Sequence, residues 1–229
     1  MSEDRAQVGA VEVSAIGARG VSTDAAPAQR TAERRRVTRE TDVSIALNLD
    51  ALPEDPNAMT ISSSAPFLDH LLSALARHGR FTLTVAATGD TDVDDHHTVE
   101  DVGILLGQTL LAALGERRGI ARFGYAYAPM DEALARAVVD VSGRPFLVYD
   151  TGPVALPERV GRFDTPLVEE FWRAFTTEAR LALHLDLIRG RNAHHACEAL
   201  FKAAGLALRM ATRVDASSTA VPSTKGVLG

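Results

Sequence analysis

The chain has 229 residues, 46% of them hydrophobic, enough for one substantial domain or for two small ones sharing a core. Its formal charge of −6 argues against general electrostatic attraction to nucleic acid, and no apolar run reaches the roughly 20 residues needed to span a membrane. Cys197 is the only cysteine, which excludes an intramolecular disulfide framework; with no signal-peptide core at the N-terminus, the reducing cytoplasm is the expected compartment.

Residues 1–30 carry no sustained periodicity and are expected to be flexible. The short basic run Arg34-Arg35-Arg36 reads as a solvated surface feature. From Thr41 to Asp50 apolar and polar residues alternate with the period of a half-buried strand, and a turn from Asp50 through Asn57 leads to a short strand near Met59–Ser62. Pro66 starts a helix whose apolar face is Phe67, Leu68, Leu71, Leu72 and Leu75, with Gly79 as its expected stop. A strand at Phe81–Ala86 and a helix at about Asp95–Leu114 complete a first unit.

The second unit offers strands near Ala133–Val141 and Phe146–Tyr149, joined through Ser142-Gly143-Arg144, then a helix near Pro166–Ala179. Leu181–Ile188 reads as a further strand and Ala193–Arg213 as the last helix. The expected organisation is residues 31–124 as a first α/β half and residues 125–229 as a second. His96, His97, Glu100 and Gly107 recur 98 positions later as His194, His195, Glu198 and Gly205, while Asp94 and Asn192 correspond as helix caps. The chain therefore reads as two duplicated two-layer α/β halves, each a sheet under two helices, sharing a helical core.

Each His-His-x-x-Glu segment gathers imidazoles and a carboxylate at the start of a helix, through its three- and four-residue spacings. Successive helical residues advance by about 100°, so adjacent histidines point differently and are free to serve different metals. Repetition of the pattern favours a paired metal site over simple helix capping. His70, on the first helix, and His184, in the strand after the third helix, raise the set to six histidines and two glutamates. Mixed nitrogen and oxygen ligands suit Mn²⁺ without separating it from Fe²⁺, Co²⁺ or Zn²⁺. His78 is explained by its position near a helix end.

The segments Pro66-Phe67-Leu68-Asp69-His70, Asp95-His96-His97-Thr98-Val99-Glu100-Asp101 and Asn192-Ala193-His194-His195-Ala196-Cys197-Glu198 closely resemble imidazoleglycerol-phosphate dehydratase. Further matches stand at Arg122-Phe123-Gly124, Ser142-Gly143-Arg144-Pro145 and Pro222-Ser223-Thr224-Lys225-Gly226, and the resemblance runs from about Arg36 through Leu228. It implies a 24-subunit cage with metal centres at subunit contacts. The metal ligands it implies are His70, His96, His97, Glu100, His184, His194, His195 and Glu198, holding two Mn²⁺ ions per active site. Glu40, in Arg39-Glu40-Thr41, becomes the leading acid/base candidate; composition alone makes it a surface carboxylate.

Arginine offers phosphate a forked array of donors and lysine a mobile positive one. The resemblance gathers Arg122, Arg144, Ser223 and Lys225 around the substrate phosphate in a site that includes the C-terminal loop. Lys202 is a further candidate, with the polar face of the last helix as its alternative place. Ser223-Thr224-Lys225-Gly226 lacks the glycine-rich strand-to-helix context of a nucleotide-binding loop.

The implied reaction converts imidazole glycerol phosphate into imidazole acetol phosphate and water, a step in histidine biosynthesis. Two metals hold the substrate as imidazolate, the ring expels the neighbouring hydroxyl through a diazafulvene-like intermediate, and Glu40 moves the carbon-bound proton. No nicotinamide or pyridoxal phosphate is required. The competing reading is a metal-stabilised, phosphometabolite-binding assembly without turnover.

Overall fold

The computed structural model describes residues 29–51, 59–226 and 228; the expected flexible segment through residue 28 and the turn residues 52–58 lie outside them. The first half runs β1 (Thr31–Val37), β2 (Thr41–Asn48), β3 (Ile61–Ser62), α1 (Pro66–Gly79), β4 (Thr82–Gly89) and α2 (His96–Leu114). The second runs β5 (Phe123–Met130), β6 (Ala133–Asp140), β7 (Phe146–Asp150), the two-residue strands β8 (Arg159–Val160) and β9 (Phe163–Asp164), α3 (Leu167–Ala179), β10 (Ala182–Arg189) and α4 (Ala193–Thr212).

The alternation read in the sequence decides which face of β2 is buried: Thr41, Val43, Ile45 and Leu47 point into the core. The first sheet has the order β1-β2-β4-β3 and the second β5-β6-β10-β7. In each, the first two pairings are antiparallel and the last is parallel. The parallel pair is reached through a helix, as a crossover requires. Two equivalent halves are thus present, and they meet through their helices, α1 against α4 and α2 against α3. Phe171, Trp172, Phe175 and Phe201 fill the centre of that helical layer.

Four details depart from expectation. Each half carries a leading strand, β1 or β5, that periodicity does not reveal. Gly79 does not stop α1 by a left-handed turn; Arg80 does, at φ 55°, and Arg180 does the same for α3 at φ 51°. Arg36 is not merely solvated, because its Nε donates to the buried Asp101 carboxylate at 2.9 Å and so fastens β1 to α2. Finally, the described Asp94 side chain accepts from the His96 amide at 2.7 Å, although Asp95 is the capping residue by backbone geometry. Asn192, by contrast, caps α4 directly, accepting from the amides of His194 and His195.

Candidate metal centre

α1 and α4 bring together side chains 128 residues apart in sequence. His70 Nε2 lies 3.1 Å from Glu198 Oε2, and His194 Nε2 lies 3.3 Å from that same oxygen. Among the described residues, His70, His194 and Glu198 are the one group of three such ligands whose donor atoms all fall within 4.8 Å of one another. Ligand atoms bound at about 2.1 Å to one ion stand roughly 3.0–3.4 Å apart on neighbouring vertices. The two short separations fit that spacing, and the donor set of two imidazoles and one carboxylate fits a divalent cation. The group can hold a metal ion.

Phe67, one residue into α1, walls the group on its apolar side, with ring centroids 5.1 Å from His194 and 6.1 Å from His70. Asp69 accepts from the Ser63 amide at 2.8 Å and fixes the approach to α1. Glu198 is 7% exposed, and its other oxygen receives Lys202 Nζ at 2.7 Å, one helical turn on. Burial alone would push the Glu198 carboxyl up, but the Lys202 and His70 hydrogen bonds together outweigh it and hold it at about 2. The glutamate therefore stays ionised at neutral pH, as a metal ligand must.

A cavity of about 420 Å³ opens beside the group, lined by His70, Arg77, His78, Glu198 and Lys202. His78 thus belongs to the surroundings of the site and is not only a helix-end residue. Its spacing of eight from His70 keeps it on the same helix face, a signal present in the sequence. Burial and then Lys202 keep its imidazole below the ordinary range. A larger groove of about 750 Å³ lies elsewhere, against Arg30, Tyr125, Tyr127 and Arg209, and contains none of the grouped ligands.

The remaining candidates occupy distinct places. His96, His97 and Glu100 are half-buried at the start of α2. His97 Nδ1 lies 3.0 Å from Asp90 and 3.9 Å from Glu40 Oε2, and the Asp90 hydrogen bond raises the imidazole above its usual value. Glu40 is exposed on the turn between β1 and β2, where its carbonyl accepts from the Asp90 amide at 3.1 Å. His195 Nδ1 lies 2.8 Å from Glu132 Oε2, which raises the histidine and lowers the glutamate to about 2. His184 is exposed on β10, its ring centroid 6.4 Å from that of Phe146.

Arg122 Nε and Nη2 donate to Asp140 at 2.7 and 3.1 Å, while Nη1 donates to the Pro222 carbonyl at 2.8 Å. Among the described residues, three of its five N–H groups are used. The Pro222 contact draws the C-terminal loop toward Arg122 and brings Ser223 into its neighbourhood; Ser223 Oγ accepts from the Lys225 amide at 3.2 Å. Arg144 and Lys225 are exposed, and the Arg144 amide donates to Ser142 Oγ at 3.2 Å. Lys202 faces Glu198 rather than open solvent.

Residues 63–208 match the family model described as imidazoleglycerol-phosphate dehydratase. The imidazoleglycerol-phosphate dehydratase of Halorhodospira halophila is 54% identical over 203 residues, covering 88% of this chain and 100% of the relative. That of Cupriavidus metallidurans is 52% identical over 200 residues, covering 87% and 100%. The crystal structure of the Staphylococcus aureus dehydratase superposes with a TM-score of 0.70 at 41% identity, covering 80% of this chain and 99% of that one. The Pyrococcus furiosus protein, solved in complex with (S)-C348, gives a TM-score of 0.72 at 35% identity, covering 85% and 100%. With the sequence matched through both halves and the fold superposing on solved members, this chain belongs to the imidazoleglycerol-phosphate dehydratase family.

Proposed function

We propose that the chain catalyses dehydration of imidazole glycerol phosphate to imidazole acetol phosphate in histidine biosynthesis, as a cytoplasmic, manganese-dependent hydro-lyase. The observation that carries this reading is the convergence of His70 and His194 on one oxygen of Glu198 in a member of this family. The proposed ligands of two Mn²⁺ ions are His70, His96, His97, Glu100, His184, His194, His195 and Glu198. When bound, the metals supply electrostatic stabilisation to the substrate's imidazole as charge develops on the ring.

The chain's own residues divide the remaining work. Arg122, which has two N–H groups without a partner among the described residues, joins Arg144, Ser223 and Lys225 in holding the phosphate, and the anchored C-terminal loop limits the cost of ordering Ser223. Lys202 contributes a positive charge beside the cavity while it steadies Glu198. Glu40, exposed and within reach of the His97 neighbourhood, takes the proton from the substrate carbon next to the one that loses its hydroxyl. The carbon–oxygen bond breaks, the departing hydroxide and the proton removed from carbon together make up the water released, and the resulting enol becomes the ketone. Exposure of His184 on a sheet face away from the α1–α4 group supports ligands gathered from neighbouring copies in a 24-subunit assembly.

The test is formation of imidazole acetol phosphate from imidazole glycerol phosphate, with metal content measured directly. Chelator-stripped protein should be inactive and recover with Mn²⁺, and Glu40→Gln should bind substrate while losing roughly 10²-fold or more in turnover. Substrate binding without turnover in manganese-loaded protein would instead establish a non-catalytic binding assembly. Equal activity with and without metal would reject the metal reading.

A further inference from the structure

The second histidine of each His-His pair makes the same hydrogen bond. His97 Nδ1 stands 3.0 and 3.2 Å from the two oxygens of Asp90, and His195 Nδ1 stands 2.8 Å from Glu132 Oε2. The histidines are related by the 98-residue repeat, but the carboxylates are not: 98 positions after Asp90 stands Ile188, and 98 before Glu132 stands Arg34. Asp90 follows β4, whereas Glu132 lies in the turn between β5 and β6. The two halves reach one contact from different points in the chain, so the contact, rather than an inherited residue, is what they share.

A neutral imidazole has one N–H and one lone pair, and an ionised carboxylate only accepts. Facing Nδ1, it fixes the proton there and leaves the lone pair on Nε2. Among the described residues, the nearest other carboxylate to a ring nitrogen of His195 is that of Asp131, 3.8 Å from Nε2 and too distant to hold a proton on it.

We propose that Asp90 and Glu132 are positioning residues for the metal, each holding its histidine as the Nδ1-protonated tautomer with the Nε2 lone pair presented to the ion. The proposal rests on the reading of His97 and His195 as metal ligands. Carboxylates in this place orient the ring and raise its basicity, and their loss costs about 10–100-fold in metal affinity. Glu132 has a second duty, since its Oε1 accepts from the amides of Asn192 at 2.9 Å and Arg191 at 3.3 Å and so secures the turn before α4.

Magic-angle-spinning ¹⁵N spectra of full-length, metal-stripped, histidine-labelled protein test the tautomers without any substitution. His97 and His195, identified by the loss of their signals in His97→Ala and His195→Ala, should both be protonated at Nδ1. Glu132→Gln keeps the side-chain size, and its oxygen stays on the Asn192 amide, so its NH₂ group faces Nδ1 and selects protonation at Nε2; Asp90→Asn keeps an oxygen within reach of His97 Nδ1 and removes only the charge. The His195 ring should switch in Glu132→Gln, and Mn²⁺ affinity by chelator competition should fall about 10–100-fold in both variants as the carboxylate charge is lost, with partial recovery in Asp90→Glu and Glu132→Asp.

A neutral ring protonated at Nε2 and bare at Nδ1 in the wild type overturns the proposal. So does Mn²⁺ affinity within about twofold of wild type in Asp90→Asn and Glu132→Gln, short of the loss expected for such partners, when His97→Ala and His195→Ala lose the metal; the ligand reading then stands. Full Mn²⁺ affinity in His97→Ala and His195→Ala overturns both.

Discussion

At the scale of single residues, the buried Glu198 carboxylate sets the electrostatics of the site. It is 7% exposed, so ionisation is sustained by partners rather than by water, and Lys202 at 2.7 Å is the nearest. Lys202→Met keeps the aliphatic stem but removes the ammonium, and with it the hydrogen bond that Nζ donates to Met130 Sδ at 3.2 Å. In metal-free protein at pH 7 we expect a loss of about 2 kcal/mol, the size of a hydrogen bond between charged groups plus the cost of a less satisfied carboxylate. The pH dependence has a definite sign. Glu198 is held at about 2, below its ordinary 4.5, so its stabilisation is present above 4.5 and is lost as pH falls toward 2. The variant's carboxyl lies higher, and the stability gap to wild type should therefore shrink between pH 5 and pH 3. Urea unfolding at matched protein concentration checks this, and a gap independent of pH would reject Lys202 as the partner that holds Glu198 ionised.

At the scale of elements, the site depends on how closely helices cross. A Cβ added at Gly205 in α4 would sit 2.6 Å from the Leu75 carbonyl of α1, and one added at Gly107 in α2 would sit 2.5 Å from the Phe175 carbonyl of α3. These glycines are repeat partners, and each lets two backbones meet. Alanine improves helix propensity by about 1 kcal/mol, but overpacking against a backbone costs about 1–3 kcal/mol. Gly205→Ala should therefore destabilise by up to about 2 kcal/mol and, by pushing α1 off α4, weaken Mn²⁺ binding at His70 and Glu198. Denaturant unfolding together with metal titration measures both, and unchanged values in the two assays would show the crossing to be tolerant.

The same elements explain what the sequence disclosed. The repeat of His-His-x-x-Glu and Gly exposed the duplication, and strong periodicity located α1, α2, α4 and β2. β1 escaped because it is an edge strand with little buried on either face, so TAERRRV shows no alternation. β5 escaped for the opposite reason: Gly124 and Ala128 are its buried residues, packed toward α4, while Phe123, Tyr125 and Tyr127 point outward. Its alternation is present but inverted relative to size. The ligand types were legible, yet the meeting of His70 with Glu198 was not, because it is created by the α1–α4 crossing and not by spacing along either helix.

At the scale of the whole molecule, the outward face of the second sheet carries a group of exposed aromatic rings. Phe123, Tyr125, Tyr127 and Phe146 are 55–63% exposed, and His184 stands beside Phe146 on that sheet. Within one chain, His70, His194 and Glu198 gather, while the other five proposed ligands form no further group of three among the described residues. A shared surface that covers the aromatics and completes the metal sites accounts for both observations. For the proposed 24-subunit assembly, light scattering at assay concentration should give a particle of about 590 kDa, 24 chains of 24.4 kDa. If ligands from different copies hold the same ions, chelation should lower the mass and Mn²⁺ should restore it, because metal binding then contributes directly to assembly. An active monomer would defeat the shared site altogether. A smaller active oligomer that still dissociates on chelation would retain the shared metal while rejecting the count of 24, and a full-size particle indifferent to chelation would assign assembly to the aromatic face alone.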